Sequence, residues 1–160
     1  MKLKEVIKKS LSPFDSCYAL LNLSSSKILV EKEGEEIIGF VELKIYEDVG
    51  IIFYLGVLPC HRGKGHGKAL VKKAEDYFIK KGLGLSLAST RDWNKVAVSL
   101  FTSLNYKVFK DDEVSFSVIE LLNAYVGNLV LCKELKKEYL VRVFSLHNPI
   151  LKFWISMEGP

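Results

Sequence analysis

Arg62-Gly63-Lys64-Gly65-His66-Gly67-Lys68 combines the two things a bound anion needs from a protein, bare backbone amides and positive charge. Glycines at alternate positions carry no side chain to block the backbone, so its N–H groups can turn toward a ligand. An apolar run precedes the segment and an amphipathic pattern follows it, so the loop joins a strand to a helix. The start of that helix adds unpaired amides and the positive end of its dipole, and Arg62, Lys64 and Lys68 add full charges. Such a loop is built to hold a diphosphate. Two widespread phosphate loops do not fit it. A G-x-x-x-x-G-K-[ST] loop ending at Gly67-Lys68 meets Ala69 where the magnesium-binding hydroxyl belongs and Arg62 where the first glycine belongs. A G-x-G-x-x-G fingerprint begun at Gly63 or Gly65 puts its third glycine on the wrong residue.

The elements that hold this loop follow from periodicity. Val6, Ile7 and Leu11 sit at helical spacing among lysines, so residues 2–11 are expected as a short helix stopped near Pro13. Residues 14–26 give no clear pattern, and Ser24-Ser25-Ser26 reads as a loop. Lys27–Lys32 and Ile37–Tyr46 read as strands around a turn at Glu33-Gly34-Glu35, with Val41, Leu43 and Ile45 alternating against Glu42, Lys44 and Tyr46. A turn at Asp48-Val49-Gly50 leads into Ile51–Leu58, apolar on both faces and therefore central in its sheet. After the loop, Leu70, Ala74, Tyr77 and Phe78 line the inner face of a helix that Gly82 ends. Leu83–Ala88 is a further strand, and Asp92–Leu104 a further helix with Val96, Ala97, Leu100, Phe101 and Leu104 inward. Beyond it Val114, Phe116 and Val118 alternate as in a strand, Ile119–Val126 fits helix or strand, and Asn128–Lys133 reads as a strand. Tyr139–Phe144 and Ile150–Ile155 are apolar and β-prone. A tail carrying Phe144, Phe153 and Trp154 is expected to pack on the core or on a second subunit of a homodimer.

With 160 residues, 49% hydrophobic and 26% charged, the chain is expected to form one globular domain over residues 1–160. A net charge of +4 suits an anionic cofactor, but no basic tail or Arg-rich face speaks for nucleic acid. Cys17, Cys60 and Cys132 are too few and too scattered for a disulfide framework or a zinc site, so no metal is expected. No apolar run approaches the roughly 18–20 residues that cross a bilayer. Lys2–Ser10 lacks the apolar core of a signal peptide, so a reduced, cytoplasmic protein without a membrane partner is expected.

Arg62, Gly65 and Gly67 satisfy [QR]-x-x-G-x-[GA], the coenzyme A loop of the GNAT N-acetyltransferase superfamily, and the chain resembles that family on both sides of the loop. Tyr54-Leu55-Gly56-Val57-Leu58-Pro59 is similar to the family's fourth strand, which runs apolar-x-Val-x-Pro into the loop. Asn94 with Ala97, Leu100, Phe101 and Asn105-Tyr106 resembles its N-x-x-A-x-x-L-Y-x-x-x-G-F motif. The resemblance covers residues 28–109, Asn128–Leu135 is similar to a late family strand, and residues 136–160 form an extension outside the pattern. It implies a mixed α/β fold, a twisted and largely antiparallel sheet whose central strands splay apart between flanking helices. It implies acetyl-CoA as cofactor and direct transfer of its acetyl group to an amine, on a small molecule or on a protein or peptide. By the same resemblance the backbone of Leu55, Gly56 and Val57 would bond the pantetheine arm as an added strand would. Arg62, Gly63, Lys64, Gly65, His66, Gly67 and Lys68 would hold the diphosphate, and Asn94, on the helix that carries Phe101, would reach the cofactor from the far wall. An oxyanion develops during transfer and needs a backbone donor, for which Val57 is the candidate.

The chain departs from the family where protons move. Phe101 stands where many members carry the tyrosine that protonates coenzyme A, and phenylalanine cannot donate. Ser89 stands where the ribosomal-protein and N-terminal acetylases place a glutamate base, and Ile51–Tyr54 supplies no carboxylate. An amine with a pKa near ~10 must still lose a proton, whereas a thiolate, near ~8.5, leaves tolerably unaided. Asn105 replaces a family glycine, in a left-handed geometry that asparagine accepts. Tyr54 is the candidate substitute for proton transfer, although a packed core tyrosine is the reading its sequence context favours. Glu42 and Tyr46 share a strand face that reads as solvated, His61 and His66 are expected to face solvent, and Cys60 reads as a packed thiol. His147 is isolated in the tail. The family sets a strand and two helices before the segment that starts at Lys27, and no first strand is visible here. A noncatalytic acyl-CoA-binding module is the alternative that Phe101 and Ser89 leave open.

Overall fold

The structure, a computed structural model, describes residues 1–113, 119, 120, 122 and 128–139. Two helices come first, α1 (Leu3–Ser10) and α2 (Pro13–Leu21), and no strand precedes them among the described residues. Helix α2 occupies the stretch in which no pattern was visible. Pro13 opens it rather than merely ending α1: Ser12 caps it by accepting from the Asp15 amide at 3.1 Å, and Pro13 takes a first-turn position where a missing N–H is no loss.

Six strands follow: β1 (Lys27–Glu33), β2 (Glu36–Tyr46), β3 (Val49–Val57), β4 (Leu85–Arg91), β5 (Lys107–Lys110) and β6 (Asn128–Glu134). Their order is β1-β2-β3-β4-β6-β5, and only the β3–β4 pair is parallel. Strand β3 is central, as its two apolar faces require. Helix α3 (His66–Lys80) and helix α4 (Lys95–Ser103) complete the mixed α/β architecture. The short β5 carries mostly exposed residues and no apolar alternation, which is why periodicity did not reveal it.

The sheet buries a core on each face. On one, α1 and α2 bring Val6, Ile7 and Ala19 onto Ile38, Phe40 and Leu58. On the other, α3 and α4 bring Leu70, Val71, Ala74, Phe78 and Phe101 onto Val41, Leu43, Ile52 and Val57. Val96 is 81% exposed and lies outside this core, because α4 turns Ala97, Leu100, Phe101 and Leu104 inward instead. Glu75 lies on the buried face of α3, 3.0 Å from the Lys133 ammonium of β6.

The turn before β3 is Glu47-Asp48, with Glu47 at φ 52°, and Gly50 lies inside the strand. A Cβ on Gly50 would collide with the Phe78 ring, so this glycine lets α3 approach the sheet closely. Gly50→Ala is expected to lower stability by about 1–3 kcal/mol through overpacking, read as a fall in the urea midpoint at unchanged slope. The strand expected around Val114–Val118 and the apolar tail expected to pack on the core or in a dimer fall outside the described residues.

Candidate active site

Strands β3 and β4 pair from Val49–Leu85 to Ile52–Ala88 and no further. Beyond that point β3 stays on β2 as far as Val57–Gly39, and β4 stays on β6 as far as Arg91–Asn128, so the two diverge. The cause is local. Glu42 faces Tyr54 while the next residue, Leu43, faces Ile52, which leaves Phe53 with no partner on β2. One extra residue bends a strand and sharpens its twist. It also points two neighbouring side chains to one side, and the Phe53 and Tyr54 rings meet edge-on at 4.8 Å. Lys44 lies over the Phe53 ring at 4.3 Å and donates to Asn22 at the end of α2 at 2.6 Å, fixing the bulge to the helical cover. The opening is a cleft of about 230 Å³ between Phe14 and Asp15 of α2, Phe53, Tyr54 and Leu55 of β3, Ser89 and Arg91 of β4, and Trp93, Asn94 and Phe101.

Four residues singled out by sequence meet in this cleft: Tyr54, Leu55, Asn94 and Phe101. Gly56 and Val57 continue β3 beyond it, and from Phe53 to Val57 the edge that faced β4 has no strand partner among the described residues. The Val57 carbonyl accepts from Arg62 Nε at 2.9 Å. Val57 therefore sits at the far end of the open edge, while the unpartnered residue at its apex is Phe53. Asn94 caps α4, its Oδ1 accepting from the Ala97 amide at 3.1 Å, which leaves its amide N–H groups as the donors on that wall. Phe101 is buried edge-on against Tyr106 at 4.9 Å and shapes the cleft without carrying a proton.

At the end of β3 the glycine loop is open. Gly63 (φ 76°) and Gly65 (φ 90°) are left-handed, and nothing lies within 4 Å of where their Cβ atoms would be. Gly65 is the N-cap residue of α3 with no side chain satisfying the first turn, so its leading amides face outward. Gly67 instead packs α3 against Leu100, 3.3 Å from an added Cβ. Lys64 and Lys68 are exposed beside the loop. The Arg62 side chain turns away from it, Nε to the Val57 carbonyl and Nη2 to the Ser10 carbonyl at 3.1 Å, pinning the loop to β3 and to the negative end of α1. Arg62→Met is expected to cost about 1–2 kcal/mol. Arg62→Lys should not restore it, since an ammonium cannot span both carbonyls; thermal melts of the two variants test this.

His61 and His66 do not stand free in solvent. His66 Nε2 is 2.9 Å and His61 Nδ1 3.0 Å from the two oxygens of Glu33, and His66 Nδ1 is 3.6 Å from Glu31. The His66 hydrogen bond, with His61 and Lys64 nearby, holds the Glu33 carboxyl below its ordinary range. Lys73 bonds both Glu31 and the Val30 carbonyl at 2.8 Å, so this cluster ties the loop and α3 to the edge of β1.

The proton-carrying groups lie on the α1–α2 side. Tyr54 donates to Asp15 Oδ1 at 3.4 Å, and Ser12 donates to the other Asp15 oxygen at 2.9 Å. Burial, and then the neighbouring Asp15 and Glu42 carboxyls, push the Tyr54 phenol well above its usual range, so it keeps its proton. Glu42 contradicts the solvated face expected for it. It is 0% exposed, because α2 and the turn after it cover that part of β2, whereas Tyr46 at the strand's end is 46% exposed. Cys60 is exposed, not packed. Asp15 escaped notice because it lies in the unpatterned stretch; the one available signal was Ser12-Pro13-x-Asp15, the start of a capped helix. His147 falls outside the described residues, among which no group of three His, Cys, Asp or Glu side chains could hold a metal.

Helices on both faces of a mostly antiparallel sheet, parted between its two parallel strands above a glycine loop, define an acetyl-CoA-type acyltransferase architecture. The chain belongs to the GNAT acetyltransferase family, whose model matches residues 5–106 and so extends the likeness upstream through α1 and α2. It is 35% identical over 85 residues to mycothiol acetyltransferase of Renibacterium salmoninarum, 49% of this chain but 25% of that protein. It is 33% identical over 57 residues to mouse thialysine N-epsilon-acetyltransferase, 36% of this chain and 34% of that one. The chain thus spans about a quarter to a third of these relatives' length. Its fold is similar to the Escherichia coli ribosomal-protein-S18-alanine N-acetyltransferase, with a TM-score of 0.65, 14% identity, and 83% and 85% of the two chains covered. It is also similar to the PaiA N-acetyltransferase of Thermoplasma acidophilum in complex with coenzyme A, with a TM-score of 0.64, 20% identity, and 82% and 90% covered. No helix among the described residues is long and apolar enough to cross a membrane.

Proposed function

We propose that the chain binds acetyl-CoA and transfers its acetyl group directly to an amine, as one domain over residues 1–160. The observation that carries this reading is the parting of β3 from β4 beyond Ile52–Ala88, directly above an open glycine loop. The loop's outward amides with Lys64 and Lys68 suit the diphosphate, the unpaired edge of Leu55, Gly56 and Val57 suits the amides of the pantetheine arm, and Asn94 faces that arm from the opposite wall. Acetyl-CoA supplies an activated carbonyl carbon. Asp15, a carboxylate at the cleft, accepts the proton that an incoming ammonium must lose. The unpaired edge offers backbone N–H groups to the developing oxyanion, with Val57 at its far end and Phe53 at its apex as the two candidate donors. Tyr54 then gives its proton to the departing sulfur, the role Phe101 cannot fill. Mycothiol and thialysine acetyltransferases are named for small molecules, which favours a small-molecule amine as acceptor.

Phe101 favours a second reading, an acyl-CoA-binding module without turnover. Titration calorimetry with acetyl-CoA, ATP and NAD comes first. Micromolar binding of acetyl-CoA alone, about −8 kcal/mol, supports the site; no binding removes both readings. Release of the coenzyme A thiol in the presence of a panel of primary amines then separates enzyme from binder.

A further inference from the structure

Among the described residues that line the cleft only two are charged, Asp15 of α2 and Arg91 at the end of β4, one of each sign. Register tells which side of the cleft they share. Ser86 shares a hydrogen bond with Tyr106 at 2.8 Å, and Ala88 lies in the same core under α3 and α4. Strand β4 stays in step with β6 from Leu85 to Arg91, so alternation turns Ser89 and Arg91 to the opposite face, the one that α1 and α2 cover. Tyr54 is on that face too, bonded to Asp15. Burial holds the Tyr54 phenol up; of the charges around it, Asp15, Glu42 and Arg91, only Arg91 pulls it down. Asp15 is held by Ser12 and Tyr54. The Arg91 guanidinium has neither a hydrogen bond nor an ion pair among the described residues. Phe14 and Trp93, 61% and 70% exposed, add aromatic walls that carry no charge.

An amine reaches the cleft as an ammonium ion, and the two charges treat it oppositely. Asp15 attracts it. Arg91 repels it, so a bare amine or a diamine meets a penalty on that side. The repulsion becomes attraction when the same molecule carries a carboxylate, whose two oxygens match the guanidinium fork. Each charge of the ligand then meets its opposite. A single guanidinium balances a monoanion, which favours a carboxylate over a doubly charged phosphate. The cofactor has its own cations at the glycine loop, past Val57, in Lys64 and Lys68. We propose that the acceptor is a free amino acid, its ammonium held at Asp15 and its carboxylate at Arg91. Arg91 is then a specificity residue: it touches the acceptor away from the reacting atoms and selects it by charge. A peptide amine, whose neighbouring carboxyl is an amide, lacks the group that Arg91 reads.

This rests on the reading of the cleft as an acetyl-transfer site, and the experiment separates the two. Thiol release from acetyl-CoA is measured for wild type, Arg91→Met, Arg91→Lys and Arg91→Glu with α-amino acids and with ω-amino acids of increasing length. Each acid is paired with its primary amide at equal free-amine concentration, and diamines of matching length complete the panel. Arg91 is exposed, so its variants are expected to fold. For the best acid, wild type should show a kcat/KM about 10–100-fold above that of its amide, the scale of one charge-assisted contact. Arg91→Met should erase most of this ratio, Arg91→Lys should keep part of it, and Arg91→Glu should turn the preference to the diamine. Acetyl-CoA affinity by calorimetry should be the same in all four proteins. A wild type that takes amides or diamines as well as acids, or Arg91→Met with the wild-type ratio, overturns the assignment. A fall in acetyl-CoA affinity in the Arg91 variants gives Arg91 to the cofactor and overturns it too. A second readout needs no turnover: the same acids and amides are titrated into protein saturated with coenzyme A. Acid binding that Arg91→Met abolishes, with no thiol release, upholds the Arg91 site and removes the transfer reading. Acid binding no tighter than amide binding rejects the proposal whether or not any amine is acetylated.

Discussion

Gly65→Trp is expected to weaken acetyl-CoA binding at least about 100-fold, or roughly 2.7 kcal/mol, while the protein stays folded. Gly65 sits at φ 90° at the head of α3, and the space where a side chain would project is empty of protein atoms. An indole there occupies the volume that the diphosphate needs and covers the amides that bind it. The left-handed backbone costs a non-glycine residue about 1–2 kcal/mol, well inside the typical margin of about 5–15 kcal/mol. Calorimetry and a thermal melt of the same sample separate the two effects. Unchanged affinity in a folded variant would place the diphosphate elsewhere and dismantle the reading of the loop.

Glu42→Leu is expected to stabilise the protein by about 1–3 kcal/mol, the scale of relieving a buried polar group that has no partner. The sign of its pH dependence follows from linkage. The Glu42 carboxyl titrates higher in the native than in the unfolded chain, so the native state binds the extra proton in the window between the two values. The contribution of Glu42 to wild-type stability is then most favourable below the ordinary carboxylate range and is lost as pH rises through the native value. The leucine variant lacks this fall, so its advantage widens toward alkaline pH. Urea unfolding from below the ordinary carboxylate range upward measures it, and a variant less stable than wild type at every pH would show that Glu42 is satisfied in a way its surroundings do not reveal.

The loop, its helix and the central strand were legible in sequence because each is governed by local chemistry. Glycine spacing reports backbone freedom, and a strand apolar on both faces reports a central place. Asn94 and Phe101 were singled out by a short-range motif and both line the cleft, whereas the capping of α4 by Asn94 was not read from it. Glu42 was misjudged for a physical reason: alternation along β2 tells which residues share a face, not whether a helix covers that face. The cover is the layer of α1 and α2, and α2 was hidden because Pro13 was read as a stop when Ser12 and Asp15 make it a start. With α2 unseen, Asp15 had no place in the site; the histidines meet Glu31 and Glu33 across the distance in sequence from the loop back to β1, which no local pattern reports. The Asp48-Val49-Gly50 turn was misplaced because a glycine needed for the approach of Phe78 looks, in sequence, like a glycine needed for a bend.

The unpartnered Phe53 gives β3 two phases. Before it, even-numbered residues such as Gly50 and Ile52 face α3; after it, odd-numbered Leu55 and Val57 do. In a crystal this would be a dislocation, a defect that no exchange of one atom for another can anneal. The same holds here. Substituting any side chain along β3 leaves the count of residues unchanged, and with it the mismatch that forces the strand away from β4. Only removing a residue would bring the two halves into step. The cleft is therefore written into chain length rather than composition, which lets its walls vary widely in sequence without its closing.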